Sequence, residues 1–458
     1  MAEPAPTHYF LLIGRGLLAE ATARALEAGG GAVRRLDAPP DREIREALDE
    51  HVDRVVVISR HDHLSLRYAL VVEHIRPGIE LLVTIFDRDV ATHLRDTVDN
   101  VHVLSMADIV APAFAGPCLD PSLLSVVLGE AGAAGVAGVH AIGGQPALVP
   151  QRWSTPSLPS RALTQLGALL RPFDSSALIL VYGLFGVLSV LVVETAVTIL
   201  ASDLGFVDAL YSVAKVTVTV GPSEAAEQGR DWFKLFSAAA VLLTLGFTAV
   251  LTAGLVNRLL DARLTGIVGR AAVPLRDHVV VVGLGQVGLR LCGLLRDLGI
   301  PMVAVEQNPD AQNVSRGKDQ RFPIVIGSGQ RQRTLRRLSI HRARALAAVT
   351  SDEVENIAIA VAARSVRDDL PIALRAGDGE ASSETRSLFG IGVIRDVYRI
   401  AGAALAATAL GHDAHTAFPY EGTLYLIDGH GGIEAFVAAD GEAIDPGAAP
   451  TEGEAGTS

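Results

Sequence analysis

The chain has 458 residues, long enough for two or three domains, and 49% of them are hydrophobic while 20% are charged. This mixture predicts a membrane segment joined to soluble domains. A net charge of −12 without a basic stripe excludes a nucleic-acid-binding surface, and two distant cysteines exclude a disulfide framework and a zinc site, so we expect reducing surroundings for the soluble parts.

The first region, residues 1–125, has the pattern of a nucleotide-binding α/β domain. YFLLIGRGLLAEATARALEAGG is typical of a buried strand, a glycine turn at Gly14 and Gly16, and an amphipathic helix. Asp37 stands at the end of the next strand, AVRRLD, where a carboxylate can bind a ribose hydroxyl. Further strands are predicted at RVVVIS, LLVTIF and VHVLSM.

Two long apolar runs, residues 177–200 and 235–256, follow a predicted linker over residues 126–176. Each run is long enough to cross a hydrocarbon core of roughly 30 Å at about 1.5 Å per residue. A buried helix of a soluble protein can be equally apolar, but two runs so close together favour membrane spans. Arginines flank the pair, and the intervening segment is net acidic. The positive-inside rule therefore places both termini in the cytoplasm.

The segment between the runs is too apolar for a solvated connection and too short to span. FVDALYSVAKVTVTV predicts a short helix over residues 206–218, followed by an extended run over residues 219–224. Non-helical backbone at membrane depth is tolerated where protein or water surrounds it, so this segment is predicted to be a re-entrant pore loop.

The resulting order of elements resembles that of the two-transmembrane potassium channels: outer helix, pore helix, filter and inner helix, here over residues 177–258. The family's filter reads TVGYG, and the matching residues are Thr219, Val220, Gly221, Pro222 and Ser223. The last two depart from the pattern, so potassium and broader cation passage both remain open. The resemblance implies a homotetramer in the plasma membrane, in contact with lipid. Gly246 is either an inner-helix hinge or a packing residue.

The region after the second run, residues 276–412, repeats the α/β pattern of the first. HVVVVGLGQVGLRLCGLLRDLG carries the glycines Gly283, Gly285 and Gly288, and Glu306 follows Gly283 at the spacing that separates Asp37 from Gly14. FPIVIG, ALAAVT, PIALRA and GVIRDV complete six predicted parallel strands. The first copy lacks room for the third strand and its helix, so its pocket is expected to be incomplete.

Both copies resemble RCK domains, the Rossmann-like regulators of potassium conductance related to Trk-type transport subunits. VTSDEVEN, residues 349–356, is similar to the family's signature after the fourth strand. The resemblance implies NAD(H) or an adenine nucleotide as ligand, bound by Gly283, Gly285, Gly288, Glu306, Gly327 and Thr350. Ser328 departs from the family's usual aspartate, and a copy before the pore departs from the usual domain order. A Rossmann fold that only builds a ring is the alternative.

Residues 413–438 are predicted to form a short hairpin turning at DGHGG, and residues 439–458 a disordered tail. The whole chain is thus predicted to be a membrane protein with two transmembrane helices and a re-entrant loop, flanked by two Rossmann-like domains. The leading hypothesis is a nucleotide-gated potassium or cation channel. A non-conducting membrane nucleotide sensor and a membrane-tethered NAD-dependent oxidoreductase remain alternatives. The oxidoreductase alternative has no recognisable set of catalytic residues to support it. Its nearest candidates, His61 and His63, fit a solvated loop instead.

Overall fold

A computed structural model describes residues 8–128, 136–151, 175–202, 204–217, 229–261, 267–268, 274, 276–377 and 392–437. The chain divides into two compact units: residues 1–164 together with 268–458, and residues 165–267. The predicted filter from Thr219 to Ser223, and the predicted tail over 439–458, lie outside the described residues.

The first lobe, residues 8–119, is built on a five-stranded parallel sheet of order β2-β1-β3-β4-β5. Its strands are β1 (His8–Gly14), β2 (Gly31–Leu36), β3 (Arg54–Ile58), β4 (Glu80–Thr84) and β5 (Val101–Leu104). Its helices are α1 (Leu17–Ala28), α2 (Asp41–Leu48), α3 (Asp62–Ile75), α4 (Arg88–Thr97) and α5 (Met106–Leu119). All five strands lie where the sequence predicts them.

The second lobe, residues 276–410, has all six predicted strands, β10 (Val279–Val282), β11 (Met302–Glu306), β12 (Ile324–Ile326), β13 (Ala345–Ala348), β14 (Ile372–Ala376) and β15 (Val393–Asp396). They run parallel in the order β15-β14-β13-β10-β11-β12, and β9 (Ile267–Val268) lies at the β12 edge. The helices are α9 (Gln286–Asp297), α10 (Gln312–Asp319), α11 (Gln332–Arg337), α12 (Glu353–Arg364) and α13 (Val397–Leu410). The uninterrupted valines of β10 are buried, as expected for a strand covered on both faces.

The two lobes exchange their last helices. Helix α5 of the first lobe packs on α9 of the second, and α13 of the second packs on α1 of the first. Helix α13 is rich in alanine and buried along most of its length. At Gly402 it comes so close to α1 that a Cβ would lie 2.9 Å from the carbonyl carbon of Ala21. Because each lobe's core is completed by the other, one hydrophobic cluster includes residues of both.

Each lobe ends in a three-stranded antiparallel meander, which corrects two of our predictions. The first meander, β6 (Leu123–Leu128), β7 (Val136–Ile142) and β8 (Gln145–Gln151), occupies part of the predicted linker over 126–176. Gly143 and Gly144 form its turn with positive φ, and Pro146 and Pro150 lie on an edge strand, where a missing N–H is tolerated. The second, β16 (Thr416–Tyr420), β17 (Thr423–Ile427) and β18 (Ile433–Val437), extends the predicted hairpin over 413–438 by one strand.

The second unit contains helices α6 (Ser175–Ala201), α7 (Phe206–Thr217) and α8 (Asp231–Asp261). By length and composition, Val181–Ala201 and Asp231–Val256 are each able to cross a membrane. Only 22% and 17% of the residues in their most apolar windows are buried, which is unlike the core helix of a soluble protein. The short helix α7 lies between them in sequence and matches the predicted helix over 206–218.

Candidate nucleotide site

The glycine turn after β10 is shaped by close backbone contacts. Gly283 has φ of +97°, which favours glycine, and a Cβ there would lie 2.8 Å from the amide nitrogen of Thr350. A Cβ at Gly288, on α9, would overlap the carbonyl oxygen of Gly283. These two glycines therefore let the ends of β10 and β13 and the start of α9 approach one another.

Gly285 has a different role in the same turn. It is the N-cap residue of α9, and a Cβ built on it would meet nothing within 4 Å. The first turn of α9 carries no acidic side chain. Backbone N–H groups at a helix N-terminus attract anions, so this open space suits a phosphate group.

Glu306, the last residue of β11, borders the glycine turn. One carboxylate oxygen accepts a hydrogen bond of 2.9 Å from the Leu284 amide, and the other accepts hydrogen bonds from the amides of Gln307 at 2.8 Å and Asn308 at 3.0 Å. These bonds fix the carboxylate beside the turn, where it can accept hydrogen bonds from a ribose diol.

A cavity of about 370 Å³ lies at this edge of the sheet. Five of the six residues predicted to bind the nucleotide line this cavity: Gly283, Gly285, Glu306, Gly327 and Thr350. Gly288 instead lies beneath the turn, against the oxygen of Gly283. The Thr350 hydroxyl donates to the Asn356 carboxamide oxygen at 2.9 Å, so that side chain also braces the strand end against α12.

The cavity is also lined by Glu355 and by side chains that the nucleotide-binding motifs do not identify, among them Arg60, Arg375 and Tyr398. Arg60 belongs to the first lobe, and its Nη2 donates to the Tyr398 hydroxyl oxygen at 2.6 Å. Arg375 donates to the same oxygen at 3.3 Å. Burial lowers the pKa of Arg375, the charge of Arg60 acts in the same direction, and the Tyr398 side chain and Asp396 oppose this change. The motifs are local in sequence, so no motif signals a residue supplied by the other lobe.

The equivalent place in the first lobe is built differently. The positive φ of +84° falls on Gly16, whereas Gly14 is confined because a Cβ there would overlap the Ile58 carbonyl oxygen. Helix α1 carries Glu20 in its first turn, and this negative charge opposes an anion at the helix N-terminus. Asp37 is exposed after β2. The two glycine turns therefore differ in backbone conformation and in charge, and the incomplete pocket of the first lobe stays a prediction.

Elsewhere, Gly246 lies within the continuous helix α8, and a Cβ there would meet nothing within 4 Å. Gly246 is therefore not a packing residue within the described part of a single chain. Within that part there is also no group of three or more His, Cys, Asp or Glu residues arranged to hold a metal ion.

Comparison with protein families identifies the second lobe. Residues 279–395 match the model of the TrkA-N domain. This part of the chain is therefore a TrkA-N domain, and the resemblance to Trk-type, RCK-containing proteins is confirmed for it.

Curated relatives include two proteins of Methanocaldococcus jannaschii. One, probable potassium channel protein 2, is 23% identical over 137 residues, 30% of this chain and 40% of the relative. The other, potassium channel protein 1, is 24% identical over 141 residues, 30% of this chain and 41% of the relative. An uncharacterized protein of Methanothermus fervidus is 24% identical over 221 residues, 46% of this chain and 32% of the relative. The chain thus spans less than half the length of each.

Similar solved structures include the GsuK channel, which is 14% identical and has a TM-score of 0.48, with 88% of this chain and 64% of that chain covered. The GsuK channel bound to NAD is also 14% identical, with a TM-score of 0.45 and coverage of 89% and 64%.

Proposed function

We propose that this protein is a nucleotide-gated potassium or cation channel. One observation carries the proposal: a TrkA-N domain with an open glycine turn and an anchored Glu306 belongs to the same chain as two helices long enough to cross a membrane. The names of the two Methanocaldococcus jannaschii relatives, both potassium channel proteins, support it.

The division of the chain supports the proposed topology. The regions before and after the apolar helices belong to one compact unit. This supports a topology in which both lie on the same side of the membrane. Two spans satisfy this condition. The arginine-rich flanks place that side in the cytoplasm, with both termini in it and the segment around residues 203–230 facing outward.

The pore itself is part of the proposal. Two helices from one chain cannot enclose a conducting path, so the channel is a homotetramer in the plasma membrane, with lipid around α6 and α8. Helix α7 is its pore helix, and the residues from Thr219 to Ser223 form its filter, with potassium as the permeant ion. Pro222 and Ser223 replace the aromatic residue and the second glycine of the family pattern, which widens the expected range of permeant cations.

Gating follows from ligand binding in the second lobe. NAD(H) or an adenine nucleotide stabilises one arrangement of the lobes, and it shifts the pore only by the difference between its affinities for the closed and open states. No observation favours turnover of the nucleotide, and the relatives named as channels indicate a role without catalysis.

The test is ion flux through purified protein in liposomes under potassium or sodium gradients, with and without NADH or ATP. We expect flux that depends on the nucleotide and is lost in the Gly285→Ala variant. The potassium-to-sodium ratio measures the effect of Pro222 and Ser223. Absence of flux from folded, tetrameric protein under every nucleotide would contradict the channel. Hydride turnover abolished by Glu306→Ala would support an enzyme instead.

A further inference from the structure

We propose that Arg60 of the first lobe and Arg375 of the second form a phosphate subsite that completes the nucleotide site and selects adenine nucleotides with a terminal phosphate. This inference rests on the proposed nucleotide binding and specifies the ligand class and the role of the first lobe. Both arginines line the cavity that holds the glycine turn.

The two guanidinium groups converge on one neutral acceptor. Each donates to the Tyr398 hydroxyl oxygen, at 2.6 Å from Arg60 and 3.3 Å from Arg375, and each lies over the Tyr398 ring, at 5.8 Å and 5.7 Å from its centroid. One phenol oxygen satisfies only a small part of the donors that two guanidinium groups offer. The remaining donors are available to a ligand in the cavity.

The positive charge of this pair is not neutralised by an ion pair. Among the residues that the structure describes, neither arginine forms an ion pair with a carboxylate, although Glu306 and Glu355 line the same cavity. Asp396, the acidic neighbour that acts on Arg375, uses its carboxylate to cap α13 through the amides of Tyr398 and Arg399. Two like charges held together without an ion-paired carboxylate favour an anion between them, and arginine suits the geometry of phosphate.

The order of the strands places this subsite at one end of the ligand. Glu306, Gly283, Thr350 and Arg375 stand at or near the carboxyl ends of β11, β10, β13 and β14, which are consecutive neighbours in the sheet. Adjacent strands are about 4.8 Å apart, so Arg375 is roughly 10 Å across the sheet from the glycine turn. A nucleotide with its ribose on Glu306 and its first phosphates at α9 directs its terminal phosphate toward the arginines.

This arrangement discriminates between ligands. The terminal phosphate of ADP or ATP carries the charge that the pair can bind. AMP is too short to reach it, and NAD⁺ presents a cationic nicotinamide at that end. The first lobe, whose own glycine turn faces Glu20 on α1, thus contributes to nucleotide binding through Arg60 rather than through a second site.

The experiment compares nucleotide affinities of the purified full chain by isothermal titration calorimetry. Wild-type protein should bind ATP and ADP more tightly than AMP or NAD⁺. Arg60→Gln should weaken ATP binding about 10- to 100-fold, the effect of losing one charge-assisted hydrogen bond, and leave AMP affinity unchanged. Arg60→Lys should recover part of the loss. Arg76→Gln, an exposed charge change in the same lobe away from the cavity, is the matched control and should have no effect.

Arg375→Gln tests the other member of the pair, and the double variant should lose less affinity than the sum of the single losses, because both groups bind one phosphate. Arg60 is exposed, so its variant tests the subsite even if Arg375→Gln folds poorly. Equal affinities of wild type and Arg60→Gln for ATP, or equal losses for ATP and AMP, would overturn the subsite while leaving nucleotide binding intact. Binding of no nucleotide by the wild type would instead overturn the proposed function.

Discussion

Gly285 and Gly288 belong to the same glycine turn, but the structure assigns them different roles. Gly285 has a φ of −72° and open space around it, so alanine there fits the fold and fills the volume where a phosphate would bind. Gly288 has no such space, because a Cβ would overlap the oxygen of Gly283. Binding and packing can therefore be separated by two substitutions three residues apart.

We expect Gly285→Ala to keep the wild-type melting temperature and to lose at least tenfold in nucleotide affinity. Gly288→Ala should lower the melting temperature and weaken binding together, because its Cβ would push α9 away from the glycine turn. The free energy of unfolding is expected to fall by about 1–3 kcal/mol. Gly293→Ala on the same helix is the control, since a Cβ there also meets nothing within 4 Å. The measurements are thermal unfolding and calorimetric titration. A lower melting temperature for Gly285→Ala would contradict the assignment.

His278 gives the α/β unit a dependence on pH. Its side chain is buried before β10, with Nε2 at 2.9 Å from the Leu338 oxygen and Nδ1 without a partner in the described residues. Burial lowers its pKa from 6.5, and the hydrogen bond to Leu338 and the charge of Asp277 oppose this change only in part. The folded protein therefore resists taking up a proton that the unfolded chain accepts.

Because the pKa is depressed in the folded state, the free energy of unfolding is expected to fall as the pH drops below about 6.5, by at most about 1.4 kcal/mol per pH unit from this group. Urea unfolding at pH 8 and pH 5.5 measures the loss. His278→Gln should show a smaller loss, whereas His93→Gln, at an exposed position on α4, should behave like the wild type. Identical pH dependence in all three proteins would exclude His278 as the cause.

Helices α6 and α8 meet closely at two glycines. A Cβ at Gly183 would lie 2.7 Å from the backbone nitrogen of Leu251, and one at Gly186 would overlap the ring of Phe247. Small residues at such contacts let helix backbones approach, which is how helices associate in a lipid environment. Gly246, with open space around it, takes no part in this contact.

Gly183→Ala is expected to lower the thermal stability of the detergent-solubilised protein, because the obstructing atoms belong to backbone and cannot rotate away. Gly186→Ala should be partly rescued by Phe247→Leu, since there the obstruction is a side chain. Gly246→Ala is the matched control and should leave stability unchanged. If Gly246 is the hinge, this variant should still reduce nucleotide-dependent flux, which separates hinge bending from packing. Destabilisation by Gly246→Ala would contradict the open space around Gly246 and would make it a packing residue.

Local patterns predicted much of the fold, and the differences have physical causes. The strands and Glu306 follow from apolar runs, glycines and spacings within a short stretch of chain. The first meander was missed because Gly143, Gly144 and two prolines are typical of a linker, although prolines on an edge strand are tolerated. Arg60 could not be assigned, because its partner Tyr398 is brought near by the exchange of helices between lobes.

A substitution in one lobe is expected to affect both, because α5 packs into the core of the second lobe and α13 packs into the core of the first. Gly402→Val, which places atoms against the backbone of α1, should speed amide exchange in both β1 and β10, as measured by hydrogen–deuterium exchange of the full chain. Gly293→Val, at an open position on α9, controls for the loss of helix propensity. Faster exchange confined to α1 and α13 would mean that the lobes are independent.

The exchanged helices also set an order of events during synthesis. The first lobe leaves the ribosome before the apolar helices, yet the helix that covers α1 is made only after them. Until α13 arrives, the surface around Ala21 has no cover, and the nascent chain is extended with part of a core exposed. Maturation of the first lobe is therefore coupled to completed translation, and a chain truncated after α8 would be a substrate for chaperones and proteases.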